Sequence, residues 1–143
     1  MTKGEIAKNI FEQGVNCAQA VALAFKDEMG LTEDQIKKLI IGFGGGFGRQ
    51  RLVCGAVSGM TMVLSYLKSD GEDKLAIYKI IQEASKEFKE KVGSLICAEL
   101  LDGNVVVTTN PQPDARTPEY YKKRPCSEIV QIAGDITERY LRS

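Results

Sequence analysis

The four cysteines of this chain, Cys17, Cys54, Cys97 and Cys126, each stand alone, and each falls where the local sequence starts a helix. Asn16, a good N-cap residue, precedes Cys17. Cys54 opens an apolar run after a glycine-rich stretch, Cys97 follows Gly93-Ser94, and Cys126 follows Pro125. A helix N-terminus presents unpaired N–H groups and about half a positive charge, which favours a thiolate over a thiol. Thiolates are nucleophiles, redox centres and metal ligands. The same context at all four positions therefore points to thiol chemistry. No Cys-x-x-Cys pair occurs, so a site must be assembled by the fold from four separate helix starts.

Two chemistries fit such a set. In one, pairs of thiols cycle between dithiol and disulfide, exchanging with a redox partner protein or a small thiol or disulfide. In the other, all four thiolates hold zinc or an iron–sulfur cluster. A third reading makes the protein structural or interactive, with the cysteines as inert buried hydrophobes. Spacing does not separate these. Histidine is absent, which excludes Ser-His-Asp and Cys-His catalysis and His-containing zinc sites. Cys54 combines its helix start with a glycine loop and with Arg49 and Arg51, so it is expected to be the most reactive thiol, with Cys17 as partner.

The glycine loop is the second chemical feature. Five of the eight residues from Gly42 to Arg49 are glycine, more than a tight turn needs. Such a run can expose backbone N–H groups to an anion or let a cofactor approach closely. Gly44, Gly45, Gly46 and Arg49 are the candidate binding residues. The loop lacks the Gly-Lys-Ser/Thr ending of a P-loop and follows no strand, as a dinucleotide fingerprint would. It more readily shapes the approach to Cys54. Arg49 and Arg51 can hold a thiolate or an anionic substrate there, or stand as solvated surface charges.

The elements that must position these residues read as helices. Thr2 with Glu5 forms one capping box and Thr32 with Gln35 another. Apolar residues at helical spacing predict helices over 5–14, 17–29 and 33–41, with Gly14 and Gly30 as stops. The run from Val53 to Leu64 is apolar all round and predicts a buried helix. A long amphipathic helix is expected over 73–92, a short one around Cys97 and a last one from Cys126 to Leu141. Pro111, Pro113, Pro118 and Pro125 predict a loop over 103–125, with a short extended stretch at Val105–Thr109. The expected fold is an all-α, single-domain bundle of five to seven helices over residues 1–143. The glycine-rich and proline-rich loops interrupt it, and its thiols gather in one place.

Composition agrees. The chain is 143 residues long, 43% hydrophobic and 27% charged, with Lys+Arg and Asp+Glu at 19 each. Zero net charge gives no reason to expect a nucleic-acid partner and lowers one barrier to a homodimer. No apolar stretch is long enough for membrane insertion. Met1-Thr2-Lys3-Gly4-Glu5 leads straight into an amphipathic segment, so the expected compartment is cytoplasmic, where cysteines serve redox or metal chemistry more than structural disulfides.

The same residues carry a family resemblance. Gly14-Val15-Asn16-Cys17-Ala18-Gln19, Gly42–Arg49, Cys54-Gly55-Ala56-Val57-Ser58-Gly59, Cys97-Ala98-Glu99 and the lone Cys126 together resemble the redox-active family named for the pattern C_GCAxxG_C_C. The likeness runs from about residue 9 to 136. The central stretch reads Cys-Gly-Ala here, where the family label reads Gly-Cys-Ala. The resemblance implies redox work at the four cysteines without naming a reaction or substrate. A related domain occurs joined to c-type haem modules, but this chain has no Cys-x-x-Cys-His with which to attach haem.

Overall fold

The computed structural model describes residues 1–101 and 110–143. Among these the chain forms nine helices: α1 (Lys3–Phe11), α2 (Cys17–Leu23), α3 (Lys26–Met29), α4 (Glu33–Ile40), α5 (Gly55–Lys68), α6 (Lys74–Val92), α7 (Cys97–Leu101), α8 (Pro118–Lys123) and α9 (Cys126–Arg142). Six are seven residues or longer. The described residues contain no strand, only an isolated antiparallel bridge between Val53 and Ile96. The all-α expectation therefore holds. The helix count is higher than five to seven because one expected helix is broken and one short helix was missed.

Three helices start with reciprocal caps. The side chains of Thr2, Asn16 and Thr32 accept the N–H of Glu5, Gln19 and Gln35, whose side chains accept the cap N–H in return. Each such cap is worth about 0.5–2 kcal/mol. The broken helix is the one expected over 17–29. Phe25 leaves helical geometry (φ −110°, ψ 17°), splitting α2 from α3, and its ring is fully buried. Burying an aromatic ring outweighs the continuity of one helical turn here. The missed helix is α8. Pro118 occupies its first turn and Thr117 caps it by accepting from the Tyr120 N–H, so the proline starts a helix instead of preventing one. The extended stretch expected at Val105–Thr109 lies outside the described residues.

The core is a layered packing of α1, α2, α5 and α9. α1 lies along α9, α2 lies along α5, and α9 crosses both α5 and α2. Phe11, Phe25, Ile36, Met60, Leu64, Phe88 and Ile136 are fully buried between them. Each contributes roughly 1.5–3 kcal/mol by leaving water. α5 is buried along most of its length, as an all-round apolar helix must be.

The α1–α9 contact depends on two facing glycines. A Cβ at Gly134 would lie 2.8 Å from Gly4 Cα and 3.1 Å from the Lys3 carbonyl oxygen. Both obstacles are backbone, so neither can swing aside. Helix propensity alone would make Gly134→Ala stabilising by about 1 kcal/mol. The clash reverses the sign, and the substitution is expected to cost about 1–3 kcal/mol in urea unfolding. A neutral or stabilising result would show that α1 and α9 can separate without penalty.

Candidate thiol site

The four cysteines come together around one cavity of about 450 Å³, and all four line it. Each sits at a helix start: Cys17, Cys97 and Cys126 are the first residues of α2, α7 and α9, and Cys54 is the N-cap of α5. The bridge at Val53 and Ile96 places two of them. The Cys54 N–H donates to the Leu95 carbonyl (2.8 Å), and the Cys97 N–H donates to the Leu52 carbonyl (2.6 Å). Cys54 and Cys97 thus flank one bridge. Both are buried, whereas Cys17 and Cys126 are only partly so.

Cys17 and Cys126 interact across the cavity, and that interaction divides their acidity. It raises the Cys17 thiol well above its ordinary value, helped by burial and by the other cysteines. The same interaction lowers Cys126, aided by the charges of Arg124, Arg116 and Arg51 against the cost of burial. The shifts favour the anion at Cys126 and the neutral thiol at Cys17. Burial pushes Cys54 up to about 12, and the N–H groups of Ala56 and Val57 offset this only in part. Cys97 is also raised by burial, although Arg51 Nη1 donates to its sulfur at 3.7 Å. Helix starts alone would lower all four thiols. Desolvation leads at Cys54 and Cys97; at Cys17 and Cys126 their mutual interaction leads, with burial adding to the rise at Cys17 and guanidinium charge to the fall at Cys126. Acidity thus favours a thiolate at Cys126 over one at Cys54, the position the sequence suggested.

Arginines give the cavity its field. Arg49, Arg51, Arg116 and Arg124 all line it, and Asp114 is its one acidic lining residue among those described. Asp114 Oδ2 pairs with Arg49 Nη2 at 3.3 Å, with Arg51 Nη2 at 3.9 Å and closely with Arg124. Burial pushes the Asp114 carboxyl up, but these three guanidiniums outweigh it and hold the group below its ordinary range. Arg116 donates to the carbonyls of Phe11 (3.3 Å) and Val15 (2.9 Å) and stacks on Phe11 and Tyr120. It clamps the segment before α8 onto the end of α1.

The glycine loop turns with the opposite hand to a normal helix. Gly45, Gly46, Phe47, Gly48 and Arg49 all have positive φ, and Arg51 does too. Gly44, Gly45 and Arg49 line the cavity, as does Gly48. Gly46 does not: a Cβ there would meet the Leu52 nitrogen at 2.5 Å, so its role is close packing. Asp114, Arg116, Tyr120 and Arg124 are site residues that the sequence reading passed over. One signal was present, since Arg124 stands two positions before Cys126 in a proline-bounded segment rich in charge. Among the described residues no group of three or more Cys, Asp or Glu is arranged to hold a metal ion, and no helix is long and apolar enough to cross a membrane.

A helical domain with four thiols around one arginine-rich cavity is an arrangement suited to cysteine chemistry. The family comparison narrows this: residues 15–140 match the family model described as "Putative redox-active protein (C_GCAxxG_C_C)", and the chain belongs to that family. No curated protein and no solved structure matches it.

Two outcomes follow from the thiol electrostatics. In alkylation of the reduced protein followed by peptide mass spectrometry, Cys126 should be modified first and should stay reactive to lower pH than the other three cysteines. Cys54 should resist until strongly alkaline pH; early labelling of Cys54 would contradict the assignment. Stability should also fall with rising pH. A thiol raised to about 12 in the fold keeps its proton while the unfolded chain loses it near pH 8.5. The folded state then binds more protons, and stability drops above that pH. Cys54→Ala should show a shallower decline between pH 7 and 9.5 in urea titrations.

Proposed function

We propose that the protein is a thiol–disulfide redox protein whose working pair is Cys126 and Cys17. The observation that carries this reading is that both line one cavity from the first residues of α2 and α9, with acidity shifted in opposite directions. A lowered thiol attacks, and a neighbouring thiol resolves. Both are partly accessible, while Cys54 and Cys97 are buried behind them.

The reaction balances as a two-electron exchange. The Cys126 thiolate attacks one sulfur of an oxidised substrate's disulfide, and that bond breaks as the mixed disulfide forms. The first leaving thiolate takes up a proton. Cys17 then loses its proton and attacks Cys126 Sγ, releasing the second half of the substrate as a thiol. The substrate disulfide becomes two thiols, and the protein is left with a Cys17–Cys126 disulfide. Arg124, Arg116 and Arg51 stabilise the attacking thiolate by their charge. The reverse direction, oxidation of a dithiol by the protein disulfide, uses the same steps.

Mild oxidation should remove two of the four free thiols, and peptide mapping should join Cys17 to Cys126. Cys17→Ser should accumulate a mixed disulfide on Cys126, whereas Cys126→Ser should form none. Loss of Cys54 and Cys97 thiols first, or of no thiols at all, would overturn the assignment.

A further inference from the structure

Arg51 is a buried and poorly satisfied charge. Its side chain is 4% exposed, and its Nε is buried with no hydrogen-bond partner among the described residues. Its other contacts are long, 3.7 Å to Cys97 Sγ and 3.9 Å to Asp114 Oδ2. A buried guanidinium carries a large desolvation cost unless acceptors surround it. Arg49 and Arg124 draw on the same carboxylate oxygen of Asp114. Arg116 has only carbonyls, a phenol and aromatic rings around it. Among the described residues, four guanidiniums thus face a cavity lined by a single carboxylate, in a chain with zero net charge. What the site lacks is negative charge.

The cavity's size and walls describe the rest of the ligand. About 450 Å³ is room for a small organic molecule, well beyond a lone inorganic ion. Ile41, Leu100 and Ile129 give it apolar wall beside the thiols. Asp114 shows that a carboxylate fits among the arginines.

We propose that this cavity binds a low-molecular-weight disulfide bearing carboxylates, with Arg51 and Arg124 holding a carboxylate while the disulfide lies against Cys126. This rests on the thiol–disulfide reading above and names its substrate class. The exchange needs no further reactant for this half-reaction: two protein thiols become one disulfide, and the bound disulfide accepts two electrons and two protons to leave as two thiols.

The test is a charge series on the intact, reduced protein. Three disulfides are compared: dianionic 3,3′-dithiodipropionate, neutral 2-hydroxyethyl disulfide and dicationic cystamine. The rate of Cys126 mixed-disulfide formation is read by quenched mass spectrometry. The dianion should react faster than the neutral compound by about tenfold, and the dication slower than both, as a focused positive field requires. Added salt should compress the series. Arg124→Gln should shrink the dianion's advantage, and Asp114→Asn should enlarge it. The wild-type series stands even if a variant fails to fold. Equal rates for all three disulfides would overturn the substrate class while leaving the redox reading intact. Failure of every disulfide to react at Cys126 would overturn both.

Discussion

Close contact between α2 and α5 is the constraint on which the site depends. A Cβ at Gly55 would lie 3.2 Å from the Ala18 nitrogen and 3.4 Å from Cys17 Cβ. One at Gly59 would lie 2.8 Å from the Ala18 carbonyl oxygen and 2.9 Å from Val21 Cβ. Small residues on both helices let their backbones approach more closely than larger side chains allow. The starts of the two helices therefore lie abreast, and Cys17 and Cys54 with them. α9 packs across both helices and delivers Cys126 to the same place. The bridge between Val53 and Ile96 then ties α7, and so Cys97, to the residues before α5. Four distant stretches of chain meet because two helices can touch.

Gathering thiols this way opposes their ionisation. Neighbouring cysteines raise Cys17, Cys54 and Cys97, and burial raises all three as well. A cluster built from helix starts alone would be a set of neutral, slow thiols. One position departs from this. The interaction with Cys17 lowers Cys126, and the charges of Arg124, Arg116 and Arg51 add to that. Neutral thiols around one thiolate are a sound arrangement for exchange, because the resolving group keeps its proton until the mixed disulfide exists. Two buried thiols flanking the bridge contribute to the wall of the cavity, and the other two, also in that wall, are partly exposed.

Most of the helical frame could be read from periodicity and caps. Thr2 and Thr32 start helices as their capping boxes require, and Gly30 and Gly93 end them in the left-handed conformation. The break at Phe25 could not be read, because it answers to burial of a ring by residues remote in sequence. The helix starts at all four cysteines were anticipated, but the raised pKa values of Cys17, Cys54 and Cys97 were not. Dipole arguments treat each thiol locally, whereas desolvation and neighbouring charge arise only on folding. Arg116 and Arg124 escaped notice for the same reason. Arg116 reaches its partners at Phe11 and Val15 across about a hundred residues of chain. Tyr120 joins them only through the rings that stack on these guanidiniums.

The glycine loop carries a conformational cost that its glycines alone do not explain. Five successive residues from Gly45 to Arg49 adopt positive φ, closed by hydrogen bonds from Arg51 N–H to Gly45 O (3.0 Å) and Leu52 N–H to Gly46 O (3.2 Å). For glycine this conformation is free of penalty, but Phe47, Arg49 and Arg51 each give up about 1–2 kcal/mol to adopt it. A glycine at 49 or 51 would relieve the strain and keep the turn, so the turn by itself does not call for arginine. The side chains at those two positions point to the cavity and to Asp114. Backbone strain held next to reactive groups is a recurring mark of functional sites. Here it has a definite product: the left-handed turn reverses the chain just before Cys54 and sets two positive charges over the thiols. The strained arginines and the thiolate at Cys126 are thus two ends of one electrostatic arrangement.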